Sequence, residues 1–561
     1  MKDFPDLPLR DPAQVMQLSR LGCLHQTRLS FMRILTRRMA AEGWRVSRPL
    51  FEIDERGVGQ AVYTVETGRH AYSLVAFAHD LPPEKRSDRV IAEAWDATFA
   101  LFDGHPTEGD IARLKANVPL QEAGRIGPHE MTLSRANRSV RLWETVVAAL
   151  AAGRQPDPAA LAQVGYLMRT TAVYGSGKFG AADRDTYADR PEMAAPFQAE
   201  MLTVYLIRAF VRDLVNHAAK VRGGDRAVPL DDALATSLGI GNSTGLGMAP
   251  FLLNHPGLLN NWIAARETAI ARIRVLPRAT ADEVTLFTDL LDRARADLDR
   301  WTTTHPRQAR RVAQLRRDLR WLANRLGGGM LRNTATPWQA LCDMVTGLEP
   351  EAQELIHSLM LEPYGSIVDD LAATLACPSD GCEGIDATMP VAGLRALLRQ
   401  VYGPLLDLDW SAPDSCARAW YVSEEKLEPR LGDRHLEPVA EWEQPLAPAR
   451  DAAFLDTALA DASPDQPVGL FLVDRPEHRS SVRRAQMVLT APYAEIRDNT
   501  IAATLMPIDM LRCKLSFFGA TRFDPRSDRW VRICMFAGAP YPEQLSPASC
   551  DTWVYPAPVP A

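Results

Sequence analysis

Three stretches between residues 44 and 79 constrain the fold most, because each has the composition of a β-strand and short turns join them. They read WRVSRPLFEID, QAVYTVET and HAYSLVAFAH and are rich in aromatic and β-branched residues. The connections between them, ERGVG and GR, are short and contain glycine, as hairpin loops do. This pattern predicts an antiparallel β-meander near the N-terminus.

Much of the remaining chain has helical periodicity. We expect a basic-faced helix over residues 14–43, and a second over SDRVIAEAWDATFALFDG, from a Ser87 N-cap to Gly104. Residues 107–400 are predominantly helical in pattern. Within them two apolar stripes flank the breaker TTTHP, which predicts a helical hairpin. The stripes are Leu286, Leu290 and Leu298, then Val312, Leu315, Leu319, Leu322 and Leu326.

The C-terminal part has a different pattern. Residues 427–450 are proline-rich without periodicity, which indicates a linker or wrapping arm. Beyond them VGLFLVD, AQMVLTAP and WVRICMFAG are expected to be strands of a second sheet. We therefore predict a predominantly helical α+β protein. Its three modules are 1–106 with a small antiparallel sheet, 107–400 as a helical core, and 401–561 with the second sheet.

Charge and hydropathy exclude several partners. The net charge is −7, so the chain as a whole does not attract nucleic acid or an anionic membrane. No apolar run approaches the roughly 18 residues that a transmembrane helix needs. The start, MKDFPDLPLRDPAQ, is acidic and broken by proline, unlike a signal peptide. We expect a cytoplasmic protein, and the sequence leaves homo-oligomerisation open.

The eight cysteines do not form a metal-binding pattern. Only Cys377 and Cys382 are close, in CPSDGC, and no second cysteine pair or nearby histidine pair completes a zinc site. The eleven histidines are dispersed. The sequence therefore predicts neither a metal nor another cofactor.

The string GIGNSTGLGMAPF, residues 239–251, has glycines at the spacing G-x-x-x-G-x-G, as in some dinucleotide-binding enzymes. Such a site needs a strand before the glycines and an unbroken helix after them. Here the preceding segment is helical in pattern, and Pro250 interrupts the segment after the glycines. Two interpretations remain: a structural turn, or a ligand loop in which Asn242, Ser243 and Thr244 bind an anion and His255 transfers a proton.

A second glycine cluster, RTTAVYGSGKFGAADR, covers residues 169–184. It fails as a nucleotide-binding P-loop, because Ala172 and Phe179 stand where glycine and serine or threonine are needed. Its cations and hydroxyls still suit an anionic substrate, with Tyr174 and Lys178 as acid–base candidates and Arg169 and Ser176 as binding candidates. The alternative is a helix end followed by surface charges.

Two further segments supply candidates. In LGGGMLRNTATPWQALCDM, helix capping explains most residues and leaves Arg332, Asn333 and Thr334 as possible ligand contacts. The charged segment 417–438 offers Tyr421 for binding and Lys426 for proton transfer. For both segments a structural or solvated role is the simpler interpretation.

Together these segments lead to one main functional hypothesis. We expect an enzyme that acts on a small carboxylate-bearing metabolite by acid–base chemistry, of the lyase or isomerase type, with the three glycine-rich loops converging on one pocket. Two alternatives stay open. One is a non-catalytic binding or scaffold protein, and the other is a nicotinamide- or flavin-dependent oxidoreductase with an atypical cofactor site.

Overall fold

The computed structural model of the chain describes residues 7–17, 19–82, 94–117, 129–175, 189–243, 256–301, 303, 306–327, 329–376, 385–410, 447–496, 512, 514–519, 522–524 and 532–555. Contacts divide the chain into two units, each assembled from separated segments. Unit 1 comprises 1–23, 246–289 and 313–514, and unit 2 comprises 24–245, 290–312 and 515–561. The three modules expected from the sequence follow composition, whereas these units follow contacts and interleave along the chain.

Over its described residues, unit 2 contains one sheet with nine strands in the order β1-β2-β3-β4-β5-β6-β7-β9-β8. The strands are β1 Arg45–Ile53, β2 Gly59–Glu66, β3 Ala71–Ala78, β4 Ala97–Asp103, β5 Glu130–Arg138, β6 Tyr166–Gly175, β7 Gly239–Ser243, β8 Arg522–Asp524 and β9 Arg532–Met535. All neighbouring strands are antiparallel except β6 and β7, which are parallel.

The predicted pairing of the first three strands is present, with β1–β2 and β2–β3 antiparallel. The β1–β2 turn is stabilised by Asp54, whose carboxylate accepts from the backbone N–H groups of Arg56 and Val58. Gly57 lies in the left-handed region, at a φ of 77°. Turn chemistry and strand composition are both local, which is why this part was predictable.

The prediction of two separate sheets is wrong. The C-terminal strand β9 pairs with β7, so the N-terminal strands and the C-terminal strands belong to one mixed sheet. Two sequence assignments caused the error. Residues 97–103, assigned to a helix, form β4, because a fully buried strand has no polar alternation to distinguish it from a helix. Conversely, VGLFLVD is a helix rather than a strand.

Among the described residues, twelve of the α-helices have nine or more residues. In chain order the α-helices are α1 Pro12–Val15, α2 Phe31–Glu42, α3 Glu108–Asn117, α4 Trp143–Ala151, α5 Pro158–Val164, α6 Gln198–Gly223, α7 Asp232–Ser237, α8 Pro256–Arg274, α9 Ala281–Asp299, α10 Pro306–Leu326, α11 Met330–Asn333, α12 Pro337–Val345, α13 Pro350–Met360, α14 Gly365–Val368, α15 Val391–Tyr402, α16 Ala447–Ala460, α17 Val468–Asp474, α18 Arg479–Thr490 and α19 Ser549–Thr552. Short 3₁₀ turns and a π-helical turn, Lys514–Phe518, connect some of them. Among the described residues, none of these helices has the length and apolarity to span a membrane.

The long helix α6 forms the core of unit 2 together with the sheet. Its 26 residues include a nearly continuous buried run from Gln198 to Val211. Phe210 packs edge-on against Tyr63 of β2 and Phe99 of β4, with ring centroids 6.4 and 5.5 Å apart. Burying rings of this size contributes about 2–3 kcal/mol each. The sheet therefore anchors α6, and with it the position of the first residues of α6.

Unit 1 is helical over its described residues. The rings of Phe287, Trp338 and Tyr364 stack edge to face in its core, and the indole N–H of Trp338 donates to the Tyr364 hydroxyl at 2.6 Å. The helices predicted on either side of TTTHP are present as α9 and α10, and residues 290–312 of this pair belong to unit 2. Residues 485–490 of AQMVLTAP, expected to be a strand, belong to α18. The predicted proline-rich arm lies outside the described residues up to 446.

Candidate functional site

The first residues of two helices in unit 2 meet around three phenylalanines. Phe31 is the first residue of α2, Phe197 immediately precedes α6, and Phe518 lies in the 515–519 segment. Their ring centroids are 5.4 Å apart for Phe31 and Phe197, 5.1 Å for Phe31 and Phe518, and 4.8 Å for Phe197 and Phe518. This apolar triangle holds both helix N-termini against one short segment.

Three buried polar side chains lie around these two helix N-termini, and we call Gln26, Ser30 and Gln198 the helix-end cluster. Gln26 and Gln198 are 1% exposed and Ser30 is fully buried. Within the part of the chain that the structure describes, both amide atoms of Gln26, the Ser30 hydroxyl and Oε1 of Gln198 make no hydrogen bond. A buried polar atom without a partner costs about 1–3 kcal/mol, so these groups indicate a site for water or a ligand.

Gly519 brings Gln26 and Ser30 to a common point. A Cβ atom on Gly519 would lie 2.7 Å from Oγ of Ser30 and 3.2 Å from Oε1 of Gln26. The φ of Gly519 is 94°, which glycine adopts easily and other residues do not. The two side chains therefore both lie against the Gly519 backbone, and a residue with a side chain would not fit there.

Neither helix has a side-chain cap at this end. Ser30 is the N-cap of α2 and Phe197 that of α6, and neither side chain caps the helix. The first backbone N–H groups of any helix have no partner inside the helix, and the helix dipole places partial positive charge there. With 12 and 26 residues, both helices are long enough for this effect to matter, and it favours an anion.

Arginines on α2 and just before it add positive charge. Arg33 comes three residues after Ser30, so both lie on one side of the helix, and Arg33 is fully buried. Arg28, Arg33 and Arg37 lie around Asp551, with nitrogen–oxygen distances of 3.1, 3.8 and 3.9 Å. Burial raises the pKa of the neighbouring Cys550 thiol and Asp551 adds to that rise, while the three arginines oppose it.

The side chain of the nearest acidic residue on α6 projects in a different direction from that of Gln198. Glu200 lies in the first turn, two residues after Gln198. At about 100° per residue, its side chain projects roughly 200° away from that of Gln198. The carboxylate of Glu200 therefore does not share the face on which Gln198 contacts Phe31.

The carboxyl end of β6 lies at this edge of the sheet as well. Gly175, the last residue of β6, is in register with Thr132 of β5. The Thr132 hydroxyl is 2.6 Å from that of Thr203, which is in the second turn of α6. The chain thus runs from β6 through α6 to the parallel strand β7, and both strands end at the edge where α6 begins.

The structure places two of the predicted glycine-rich segments side by side. Arg169 of β6 is in register with Gly241 of β7, and Thr170 is in register with Asn242. The segment before GIGNSTGLGMAPF is helical as expected, since α7 spans Asp232–Ser237, and the string itself begins with β7 at Gly239–Ser243. Packing requires a glycine at position 241, since a Cβ atom there would lie 2.6 Å from the Tyr166 ring.

The remaining candidates of these segments are described only in part. Arg169 is 9% exposed. For Tyr174, Asn242 and Ser243 the structure describes the backbone alone, within β6 and β7. The candidates that lie outside the described residues are Ser176, Lys178, Thr244, His255, Tyr421 and Lys426.

The third predicted segment belongs to unit 1, where local helix structure accounts for it. Thr334 donates its hydroxyl to the Met330 carbonyl at 2.8 Å, which closes the short helix α11. Arg332 is exposed and donates to the Thr285 hydroxyl at 3.3 Å, and Asn333 is exposed as well. We conclude that these three residues contribute to helix ends and the surface of unit 1.

Unit 1 has its own concentration of buried charge, which we call the ion-pair cluster: Arg10, Arg266, Glu267, Glu354 and His357. Arg10 donates to both oxygens of Glu267 at 2.7 Å and to Glu354 at 3.0 Å, and Arg266 donates to Glu354 at 2.6 Å. Both carboxylates are fully buried. Since the carboxylates and guanidinium groups bind one another, the cluster fits a structural role.

The charges within the ion-pair cluster determine how its members titrate. Burial alone raises the pKa of Glu354, but attraction by Arg10 and Arg266 outweighs it and holds that pKa well below its usual range. Burial and Arg10 lower the pKa of His357 well below its usual value. A neutral His357 is consistent with its Nδ1 accepting from Arg10 at 3.1 Å.

The sequence analysis missed all three residues of the helix-end cluster. Ser30 had a recognisable pattern, because serine directly before the apolar run FMRIL is typical of a helix N-cap. Assigning one helix to 14–43 concealed it. Gln26 and Gln198 have no local pattern, since only the fold brings them together. In the described ranges, no group of three or more His, Cys, Asp or Glu side chains could hold a metal ion.

Comparisons with known proteins add no family assignment: no protein-family model matches the chain, and no curated protein or solved structure is significantly similar to it.

Proposed function

We propose that this protein binds a small carboxylate-bearing metabolite in unit 2, at the helix-end cluster. One observation carries the proposal: three buried polar side chains without hydrogen-bond partners lie where the N-termini of α2 and α6 meet. A ligand carboxylate there accepts from the hydroxyl of Ser30 and the first backbone N–H groups of α2. Nε2 of Gln26 donates as well once that amide is turned, because Oε1 is the atom that faces Gly519 and Ser30.

The donors and their charge favour a carboxylate over a neutral ligand. Helix N-termini stabilise negative charge, and Arg33 lies on the same side of α2 as Ser30. The unpartnered amide and hydroxyl groups then gain the hydrogen bonds that they lack in the free protein.

The wider hypotheses from the sequence remain proposals. They comprise an acid–base reaction of the lyase or isomerase type, a cytoplasmic location and assembly into a homo-oligomer. Three of the predicted proton-transfer residues, Lys178, His255 and Lys426, lie outside the described residues. A non-catalytic binding protein uses the same carboxylate site, so turnover of a bound ligand separates the enzyme from that alternative.

Ligand-induced stabilisation tests the proposal directly. The full-length protein is titrated with acetate, propionate and lactate, and its melting temperature and binding heat are measured. We expect stabilisation by at least one carboxylate, and its loss in Ser30→Ala and Gln26→Leu. Ser47→Ala, at an exposed position of β1, serves as the matched control and should bind as the wild type does. If none of these carboxylates binds, the proposal is wrong.

One observation favours a second candidate, an oxidoreductase with a nicotinamide or flavin cofactor. The strands β6 and β7 are parallel and are connected through α6. In sheets with this connection, ligands bind outside the carboxyl ends of the strands. Gly175 at the end of β6 also begins the sequence GSGKFG, which has the G-x-G-x-x-G spacing of dinucleotide sites.

The βαβ unit departs from the usual dinucleotide pattern, because α6 begins at Gln198 and not directly after the glycines. An absorption spectrum of the purified protein and thermal shifts with NAD, NADP, FMN and FAD distinguish the two candidates. A bound flavin, or stabilisation by a dinucleotide that persists in Ser30→Ala, favours the oxidoreductase. Stabilisation by carboxylates alone favours the first proposal.

A further inference from the structure

We infer that unit 1 binds single-stranded nucleic acid on the exposed face of α10, through Arg317, Arg320, Trp321 and Arg325. This inference is independent of the proposed function, which concerns a small anion and unit 2. It identifies the partner by two chemical features. One is a row of phosphates that binds guanidinium groups, and the other is an unpaired base that stacks on an indole ring.

The charge of α10 is opposite in sign to that of the whole chain. Seven of its 21 residues are arginine and one, Asp318, is acidic, which gives the helix a formal charge of +6. The part of α10 from residue 313 onward belongs to unit 1 and contains four of these arginines together with Asp318. Since the chain as a whole carries −7, attraction of a polyanion depends on a local basic surface such as this one.

Within unit 1, α10 has one apolar side and one polar side. The buried side consists of Leu315, Leu319, Leu322 and Leu326. At about 100° per residue, the opposite side spans an arc of about 140° that holds Arg317, Arg320, Trp321, Asn324 and Arg325. All five of these residues are exposed. The exposed side therefore presents three arginines and a tryptophan, and none of the five is acidic.

No carboxylate neutralises the arginines of this face within the described part of the chain. Asp318 is 5% exposed, and its carboxylate accepts from the side-chain amide of Gln314 at 2.7 Å. Arg317 donates to the same Gln314 side chain. Among the described residues, Arg317, Arg320 and Arg325 form no ion pair. Their charges are therefore available to the phosphates of a partner.

Trp321 is an exposed aromatic ring among these arginines. It is 37% exposed, and the guanidinium carbon of Arg325 lies 5.5 Å from its ring centroid. Proteins that bind single strands combine cations along the backbone with aromatic rings on which bases stack. Unpaired bases offer their flat faces to such a ring, whereas the bases of a duplex stack on one another. The exposed indole therefore favours a single strand over a duplex.

A membrane surface fits this face less well. A helix that lies in a membrane interface inserts its apolar side among the lipids. The apolar side of α10 is buried in the protein, and Trp321 is the one large apolar side chain of the exposed arc. An acidic protein surface would supply carboxylates to the arginines but no base to stack on the indole. The combination of arginines and an exposed indole therefore favours nucleic acid.

Fluorescence anisotropy with a labelled oligothymidylate of about 20 nucleotides tests the inference on the full-length protein. We expect a Kd of about 1–100 µM near physiological salt. The logarithm of the binding constant should fall with the logarithm of salt concentration with a slope of about −2, because each of three phosphate contacts contributes about −0.7. Arg320→Gln should bring the slope to about −1.4. Trp321→Ala should weaken binding about 5- to 100-fold at an unchanged slope, whereas Trp321→Phe should retain most of the affinity.

Arg399→Gln is the matched control in unit 1. Arg399 is half-exposed like the arginines of α10, but Asp456 at 2.9 Å and Asp407 at 3.5 Å neutralise it. Its replacement should leave both the affinity and the salt slope unchanged, and circular dichroism confirms that each variant is folded. Wild-type binding by Arg320→Gln and Trp321→Ala overturns the inference, as does tighter binding of a duplex of equal length. Binding of phosphatidylserine vesicles without binding of the oligonucleotide assigns the face to a membrane and also overturns it.

Discussion

The side-chain amide of Gln198 donates to the backbone carbonyl of Phe31 at 3.3 Å, which joins the first residue of α6 to the first residue of α2. A glutamine at the start of one helix thereby orients itself against the start of another. The bond uses only the nitrogen of the amide, and its oxygen bonds to no described residue. One buried amide thus links the N-termini of two helices.

Removing the Ser30 hydroxyl should not weaken the fold. An N-cap serine usually contributes about 1 kcal/mol through a bond to the first turn, but the Ser30 side chain makes no capping bond. We expect Ser30→Ala to change the free energy of unfolding by less than about 0.5 kcal/mol, or to raise it, because a buried unpaired hydroxyl is removed. Urea denaturation without carboxylate ligands measures this.

Asp231→Ala is the matched control for Ser30→Ala. Asp231 caps α7, and its carboxylate accepts from the N–H groups of Ala233 at 2.9 Å and Leu234 at 3.2 Å. Its replacement should lower the free energy of unfolding by about 1 kcal/mol. If Ser30→Ala costs as much as Asp231→Ala, the hydroxyl is a structural cap, and the helix-end cluster loses one of its ligand donors.

A side chain at position 519 should close the site. In Gly519→Ala the new methyl group would lie 2.7 Å from the Ser30 Oγ, at a backbone φ of 94° that alanine disfavours. We expect carboxylate binding to be lost and the free energy of unfolding to fall by about 1–3 kcal/mol. Calorimetry and urea denaturation measure the two effects separately.

Gly68→Ala separates crowding from backbone strain. Gly68 has a similar φ of 86°, but a Cβ atom there has nothing within 4 Å. This variant should show only the conformational cost, about 1–2 kcal/mol, with ligand binding unchanged. Binding by Gly519→Ala at wild-type affinity would show that the space beside Ser30 is not where the carboxylate lies.

The sequence predicted those parts of the fold that depend on local chemistry. The pairing of β1 to β3 follows from strand composition and short turns, and α9 and α10 follow from apolar periodicity. The pairing of β7 with β9 could not be predicted in this way, because it joins residues nearly three hundred positions apart. Neither strand has a sequence pattern that indicates which strand it pairs with.

The candidate site was less predictable than the fold. The glycine-rich segments were predicted to bind a ligand because of their composition. In the structure, the nearby Tyr166 ring is the reason for glycine at position 241. The helix-end cluster depends instead on Gln26 and Gln198, which come from distant segments and have ordinary sequence surroundings. Their importance lies in hydrogen bonds that are missing, and only the packed structure reveals those.

Neutralising Glu354 should strongly destabilise unit 1. The variant Glu354→Gln leaves Arg10 and Arg266 buried without the carboxylate that both contact. Breaking a buried pair in this way typically costs about 3–5 kcal/mol. The control Asp370→Asn removes a half-exposed partner of Arg272 and should cost less than about 1 kcal/mol. Urea denaturation compares them, and equal losses would contradict the structural role of the ion-pair cluster.

The stability of unit 1 should fall as the pH drops below neutrality because of His357. Burial and the adjacent Arg10 lower the pKa of His357 well below its usual value, so the folded protein keeps this imidazole neutral. The unfolded chain protonates it below about pH 6.5. Below that pH the unfolded state binds a proton that the folded state does not bind. The contribution of His357 to stability is therefore complete above about pH 6.5. It declines by up to about 1.4 kcal/mol per pH unit below it.

The variant His357→Gln isolates this effect. Glutamine keeps an acceptor for the Arg10 guanidinium, which donates to Nδ1 of His357 at 3.1 Å, but it does not titrate. The difference in unfolding free energy between wild type and variant, measured in urea from pH 8 to pH 5, should shrink or reverse as the pH falls. Glu354 does not interfere, since an unfolded glutamate titrates only near pH 4.3. A constant difference across this range would show that His357 has the same pKa in both states.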